Sequence, residues 1–449
     1  MNEWMDAESR VDHARELYEA GQWVEAAAEL RAAIDMNPFN ASWHFNLALT
    51  LEAMQDFERA CQSFKAALKI EPDDVETLNC MGVNMTRQGR YAEALEYFER
   101  IERIDASFEP CYCNRIVTYS EIGEHDKAEL MFYLARQVSD DCPLCHYNIG
   151  NSFYARGMYE RAVNCWRQTL RLDPAHAQAH ARIADALWAK GDLVDARWHY
   201  EAELALDGKD LDVLLDLGEL LTEMGFMDEA GEKFRRVLEL DGENIEAHYC
   251  LGELAMKRGQ LARGEEQFRL VLKFDRNYPG AHAKLAKVLL LQGRNRLATK
   301  HLLAELKRCN DEPGMLQELG QLLIEANQTH RANAVLQQLV RLSPADPYAQ
   351  HNLAVSFFML HRIDDGILHC RKALKLKPEY PLALYNLALV HLQKGQILRA
   401  RRYAARALTI SPSDEHVQRL SRQLGSMGFW ASLKNRISSR TRHGRQPQE

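Results

Sequence analysis

Four thiols lie in two close pairs, Cys111-Tyr-Cys113 and Cys142-Pro-Leu-Cys145. Paired soft donors of this kind are the ligand type that holds zinc in structural sites. Cys142 also stands where a helix would begin, and a helix N-terminus lowers a thiol's pKa and makes it more reactive. The chemistry open to these residues is metal coordination or thiol exchange. Histidine is the other candidate ligand, and His44, His146, His180, His248 and His282 stand in the same register, 34 residues or a multiple of 34 apart. No phosphate-cradling glycine loop and no Gly-x-Ser-x-Gly elbow is present, so neither nucleotide chemistry nor that form of serine catalysis has its machinery here.

The same register governs the whole chain. Every thirty-fourth residue from Ala26 to Ala400 is alanine or glycine, including Ala94, Ala162, Gly264 and Gly366. A period of this size marks an array of supersecondary units, each burying its apolar face against its neighbours. Twelve units fill residues 7–414. Twelve positions before each of these alanines lies a second small residue, such as Ala48, Gly82 or Gly150, and only Ile116 breaks the series. Two such slots per unit predict two helices whose backbones approach closely. Glycines such as Gly21, Gly89 and Gly157 fall between the two apolar stretches, where a helix end favours a left-handed residue. Prolines such as Pro38, Pro174 and Pro344 follow the second stretch, where helix cannot continue. The unit reads as a helix-turn-helix hairpin.

This pattern resembles the tetratricopeptide repeat. Repeat five carries it well, with Ile149, Gly150, Phe153, Gly157, Tyr159, Ala162, Trp166 and Pro174; repeats one and four depart from it, with His13 and Arg115 in the leucine slot. The resemblance implies an all-α solenoid, a right-handed superhelix of stacked helix pairs whose first helices line a concave groove. It also implies protein or peptide ligands held there, as in a scaffold or adaptor. At the sixth position of the unit, which the resemblance places in the groove, stand Asn46, Asn114, Asn148, Asn352 and Asn386. An amide offers an acceptor and two donors, and a row of them looks like the asparagine ladder of O-linked N-acetylglucosamine transferase repeats. Other residue types at the sixth position elsewhere split the row into an N-terminal and a C-terminal patch. Groove positions also hold Tyr147, Asn151, Tyr154 and Trp188 in repeats five and six, and Tyr348, Phe358 and Tyr385 in repeats eleven and twelve. Aromatic side chains there suit the anchoring of a partner. Between the patches, Asp212, Asp216, Glu219, Glu223, Glu246 and Glu253 make an acidic stretch suited to a basic partner. The Lys, Asn and Arg set by which related domains grip a chaperone's C-terminal carboxylate is not supplied by any three successive units, Asn151 and Arg182 being fragments of it.

Against the repeat, the chemical candidates shrink. Cys111 and Cys145 occupy the third position, which is otherwise mostly small or apolar, as at Ala179, Val213 and Ala281, and a free thiol packs there as a small hydrophobe. The histidines share the fourth position, so their recurrence follows the repeat rather than a site. The expectation is a non-catalytic protein-binding scaffold without a cofactor. The alternatives are a metal or thiol module using Cys111, Cys113, Cys142 and Cys145, and a membrane-surface module acting through the C-terminal tail.

Charge is unevenly spread. Residues 1–278 carry a net −22 and residues 279–449 a net +14, a polarity that bears on partners and solubility. With 46% hydrophobic residues the chain can fill a core, yet no apolar run is long enough to span a bilayer. The start shows early acids and no apolar signal segment, so the expected location is the cytoplasm, where the ten cysteines would be reduced. Residues 1–6 read as a lead and 415–425 as a capping helix that covers the last apolar face. The tail, 426–449, has Phe429, Trp430, Leu433 and Ile437 beside Lys434, Arg436 and Arg440, suited to an anionic surface or a partner's groove. Nothing in it reads nucleic-acid bases. The array carries no oligomeric signature.

Overall fold

A computed structural model of the chain describes residues 2–309 and 311–426. Among these residues there is no strand. Each 34-residue repeat supplies two helices, from Asn2–Glu19 and Trp23–Met36 in the first to Pro381–Gln393 and Ile397–Ile410 in the twelfth. Helix is already present from Asn2, so the lead runs into the first helix instead of preceding it. The chain forms two compact units, Met1–Ala230 and Gly231–Glu449, and each is built in the same way.

Both small-residue slots make room for a neighbour. In the second-helix slot the neighbour is backbone in repeat eight, where a Cβ on Gly264 would lie 3.3 Å from the Gly252 carbonyl oxygen, and a ring in repeat eleven, where Phe358 covers Gly366. The slot in the first helix is a socket for a large side chain. A Cβ on Gly150 would meet the Trp166 ring at 2.5 Å, and one on Gly82 would meet the Phe98 ring at 2.5 Å. Trp166 and Phe98 are fully buried. Such aromatic side chains remove roughly 150–250 Å² each from water, so these knobs account for much of the hydrophobic stabilisation of the repeats that carry them. Buried side chains join repeat to repeat, as Leu47, Phe64, Leu78, Met81, Phe98 and Cys111 do in one continuous cluster of the first unit.

The turn between helices uses a left-handed residue even where glycine is missing. Gly123 has φ of 84°, and Gln55, Asn327 and His361 stand in the same place with φ of 60°, 57° and 58°. A side chain there costs roughly 1–2 kcal/mol, which the packing on either side outweighs.

In several repeats the start of the first helix is capped by the last residue of the repeat before it, whereas Phe108, Glu312 and Tyr380 in that place make no side-chain cap. Asn40, Asp74, Asp210, Asn244 and Asp346 accept from backbone amides two or three residues on. Repeats six and nine have His176 and Tyr278 in that place and a different solution. There the buried carboxylates of Glu203 and Glu305 reach across from the second helix. Glu203 accepts from the Gln178 and Ala181 amides at 2.8 and 3.1 Å, and Glu305 from those of Gly280 and Ala283 at 3.0 and 3.3 Å. The capped residue is left-handed in both, Gln178 at φ 67° and Gly280 at φ 78°.

Beyond repeat twelve, a helix over residues 415–426 buries Val417, Leu420 and Leu424. Asp414 caps its start. The guanidinium of Arg401 donates to the Leu424 carbonyl oxygen at 2.7 and 3.0 Å near its end.

Candidate functional site

Three of the sixth-position asparagines are rungs between neighbouring repeats. Asn114 Nδ2 donates to Asn79 Oδ1 at 2.8 Å, Asn148 Nδ2 lies 3.3 Å from Cys113 Sγ, and Asn386 Nδ2 lies 2.9 Å from His351 Nε2. In each case the partner is the fifth-position residue of the preceding repeat. An amide held by one N–H keeps its carbonyl oxygen and second N–H for other partners, so a rung retains half of what a ladder needs. Asn46 is exposed and lines an open groove of about 250 Å³ with Val11, Tyr18, Leu30 and Leu49. Asn352 is half-buried beside His351, and the Oδ1 of Asn151 is buried without a hydrogen-bond partner.

Of the aromatic residues, some face outward and some pack. The Tyr147 ring sits 4.6 Å from that of His176, and its hydroxyl donates to Gln178 Oε1 at 3.4 Å. Tyr154 leans on Tyr159 and Trp166, and Trp188 Nε1 donates to Glu223 Oε2 at 2.7 Å. Tyr348 is exposed and accepts from Lys377 Nζ at 2.7 Å. Phe358 lies over Gly366, filling the space between the helices of its own repeat, and Tyr385 is partly buried against Ala388 and Leu420.

The acidic stretch divides in the same way. In the second unit Glu253 is neutralised by Lys284, 2.8 Å away, which also lies 4.0 Å from Glu318. In the first unit Asp216 is half-buried among carboxylates. Burial first, then Asp185, Glu219, Asp212 and Asp210, raise its pKa to about 7. Asp185 accepts from the Tyr200 hydroxyl at 2.6 Å, and Tyr154 borders the same spot, its own hydroxyl pushed up by burial and by Asp185. The result is a group of carboxylates with aromatic neighbours, in which Arg182 compensates part of the charge by pairing with Asp185 at 3.4 Å.

The thiols rearrange relative to the sequence pairs. Cys111 points into the core, its Sγ donating to the Phe98 carbonyl oxygen at 3.2 Å, and burial pushes its pKa up to about 12. Residues two apart on a helix point to nearly opposite sides, whereas those four apart share a face. Cys113 is therefore joined by Glu109, not by Cys111. One donor atom from each of Glu109, Cys113, Cys142 and Cys145 lies within 4.8 Å of all the others. Cys145 Sγ donates to Glu109 Oε1 at 2.8 Å, and the Cys145 amide donates to Cys142 Sγ at 3.2 Å. Hydrogen bonds from Cys113 and Cys145 lower the pKa of Cys142, while those bonds together with burial raise its partners'. Burial raises Glu109 as well.

Of the fourth-position histidines, His44 meets the Pro38 carbonyl oxygen and His146 the Phe132 ring of the preceding repeat, while three others pair with a side chain of their own repeat. His180 and His199 approach Nδ1 to Nδ1 at 2.9 Å, His282 and His301 at 2.8 Å, and His248 pairs with Gln267. The basic tail lies outside the described residues. Among those described, no helix is long and apolar enough to cross a membrane.

Comparison with known proteins matches this architecture. The chain is 24% identical over 148 residues to the TPR repeat-containing protein YpiA of Bacillus subtilis, covering 32% of this chain and 35% of that protein. It is 22% identical over 261 residues to human DnaJ homolog subfamily C member 3, covering 44% and 51%. The chain thus spans about half or less of the length of these curated relatives. Among solved structures, the APC/C hetero-tetramer Cut9–Hcn1 aligns over 92% of this chain and 95% of that one, at a TM-score of 0.45 and 13% identity. Yeast Tom70 aligns over 96% and 97%, at a TM-score of 0.42 and 14% identity. A family model described as tetratricopeptide repeat matches residues 11–75, 147–210, 215–282, 318–381 and 360–415, well over half of the sequence. The chain belongs to the tetratricopeptide repeat family.

Proposed function

We propose that the chain is a non-catalytic scaffold whose first unit holds extended, basic peptide segments against the first helices of repeats four to seven. The observation that carries this reading is Asp216, whose carboxyl group sits among Asp185, Asp212 and Glu219 with a pKa raised to about 7. A lysine or arginine arriving there relieves repulsion between carboxylates already held together. Tyr147, Tyr154 and Trp188 offer apolar contact beside it, and the open halves of the Asn114 and Asn148 amides pair with a peptide backbone. Hydrogen bonds to backbone and a charge preference give modest sequence selectivity. In the second unit, Tyr348 with Lys377 over its ring at 4.8 Å, Asn352 and Asn386 favour a segment of the opposite charge.

The test is fluorescence anisotropy with labelled synthetic peptides of equal length, one set lysine-rich and one glutamate-rich. The lysine-rich set binds in preference. Asp216→Asn weakens that binding about tenfold, the scale of one lost partly desolvated charge contact. Asn114→Ala with Asn148→Ala weakens both lysine-rich peptides and their neutral analogues. Protonation of Asp216 removes the attraction, so affinity falls as pH drops through about 7 and does so less in Asp216→Asn. Equal binding of both sets, or binding indifferent to all three substitutions, rejects the proposal.

A further inference from the structure

We propose that Glu109, Cys113, Cys142 and Cys145 form a tetrahedral site for a single zinc ion, clamping the first helix of repeat four to that of repeat five. The first of these helices is Glu109–Ile122 and the second Pro143–Ala155. Glu109 and Cys113 lie one turn apart on one face of the former, while Cys142 and Cys145 open the latter.

Three features support it. The first is spacing: the four donor atoms all lie within 4.8 Å of one another. Four ligands around one zinc at the usual zinc–sulfur distance of about 2.3 Å stand about 3.8 Å apart. Small side-chain rotations close that gap, and donors this near surround one ion rather than a cluster of irons and sulfides. Three thiolates and a carboxylate form a donor set that suits zinc. The second is support around the ligands. Asn148 Nδ2 lies 3.3 Å from Cys113 Sγ, and the Cys145 amide donates to Cys142 Sγ. Donors of this kind orient metal-bound thiolates and offset their charge, as does the N-terminus of the second helix. The third is the place of Cys142 in the repeat. It holds the capping position that Asn40, Asp74, Asp210, Asn244 and Asp346 hold elsewhere. A thiol is a poorer cap than a carboxylate or amide, so capping alone does not account for cysteine there.

Binding is balanced by proton release. Each sulfur binds the ion as its thiolate and Glu109 as the carboxylate, so every one of the three thiols still protonated at the working pH releases its proton to solvent when zinc enters. No electron is transferred. Cys113 both binds the ion and meets the Asn148 side chain, so occupancy also fixes one rung of the groove.

The experiment uses the full chain, purified reduced, stripped with a chelator and titrated with cobalt(II) and then zinc(II). Cobalt should saturate at one equivalent with thiolate-to-metal charge-transfer bands and the visible bands of tetrahedral cobalt, and one equivalent of zinc should displace it. Cys142→Ser and Cys113→Ser should each weaken binding at least a hundredfold, and Glu109→Gln at least tenfold. Cys111→Ser should leave affinity and spectrum unchanged, because that thiol points into the core. Circular dichroism identifies any variant that fails to fold, and Glu109→Gln with Cys111→Ser then decides. No stoichiometric cobalt or zinc, an octahedral spectrum, or equal loss in Cys111→Ser and Cys142→Ser overturns the site. So does peptide mapping that finds a disulfide between two of Cys113, Cys142 and Cys145 in the chelated protein despite purification with reductant, because those sulfurs then cannot both bind as thiolates.

Discussion

Replacing Glu305 by alanine should open the start of one helix and little else. This carboxylate is buried and accepts from the amides of Gly280 and Ala283, at 3.0 and 3.3 Å. These are the cap residue and the third residue of the helix Ala281–Leu291, two of the donors that a helix cannot satisfy internally. A hydrogen bond to a charged group contributes roughly 1.5–3 kcal/mol, and a buried amide left without a partner adds its desolvation cost. Two such bonds, with some geometric slack in the longer one, set the loss in Glu305→Ala at about 3–4 kcal/mol. Glu305→Gln keeps one acceptor and gives up the charge, so about 1–2 kcal/mol is expected. Because each repeat of such an array contacts only its neighbours, the loss should be read locally. Hydrogen exchange followed by mass spectrometry should show protection in residues 280–291 falling by two to three decades in Glu305→Ala. Flanking helices should change less, and the first unit not at all. Glu203→Ala should do the same at residues 178–190. Undiminished protection at 280–291, or an equal loss in both units, would refute the idea that this carboxylate is a local cap.

Other outcomes follow from the same contacts. Burial first, and His180 second, depress His199 to a pKa of about 4, below the unfolded value of about 6.5. The unfolded chain therefore binds the extra proton between these values, so stability is full above about pH 6.5 and is lost towards pH 4, by about 3 kcal/mol at most. His199→Gln should flatten that part of the stability–pH curve in urea titrations, and an unchanged slope would remove His199 as its cause. Arg115, buried in a leucine slot and paired with Glu102 at 2.7 Å, should be replaceable by leucine within about 1 kcal/mol. Arg115→Ala should cost about 2–3 kcal/mol through its cavity, and equal denaturation midpoints for the two variants would contradict this. Trp166→Ala empties the socket over Gly150 and should cost about 3–5 kcal/mol, seen as lost protection throughout repeat five; a near-neutral effect would mean the ring is not a packing centre.

The repeat was legible because small residues at a fixed period have one physical cause, close packing of copies, and twelve copies average out every local exception. The column itself did not reveal that the Gly82 and Gly150 slot receives a ring from sixteen residues later. That required knowing which face turns inward. The caps of repeats six and nine were visible in principle: only Glu203 and Glu305 are acidic at their position, and both repeats lack Asn or Asp before the first helix. That signal emerges only when two columns are compared. The thiol pattern hid Glu109 for a simpler reason. Cys111 and Cys113 are close in sequence, but about half a helical turn points them apart, whereas about a full turn brings Glu109 round to Cys113. The asparagines were located by the repeat, while their use as rungs depends on the neighbour's fifth residue, which varies from Asn79 to Cys113 to His351.

The capping residues set where this chain can be cut. Each of Asn40, Asp74, Asp210, Asn244 and Asp346 belongs to one repeat by sequence and secures the next by hydrogen bonding. A fragment trimmed at the start of a first helix begins with an uncapped end, whereas one begun a residue or two earlier keeps its first turn closed. Repeats six and nine differ, because their latch lies within their own second helix. A fragment starting at residue 177 or 279 carries its own closure, and these two are the natural seams at which the array can be shortened from its N-terminal side.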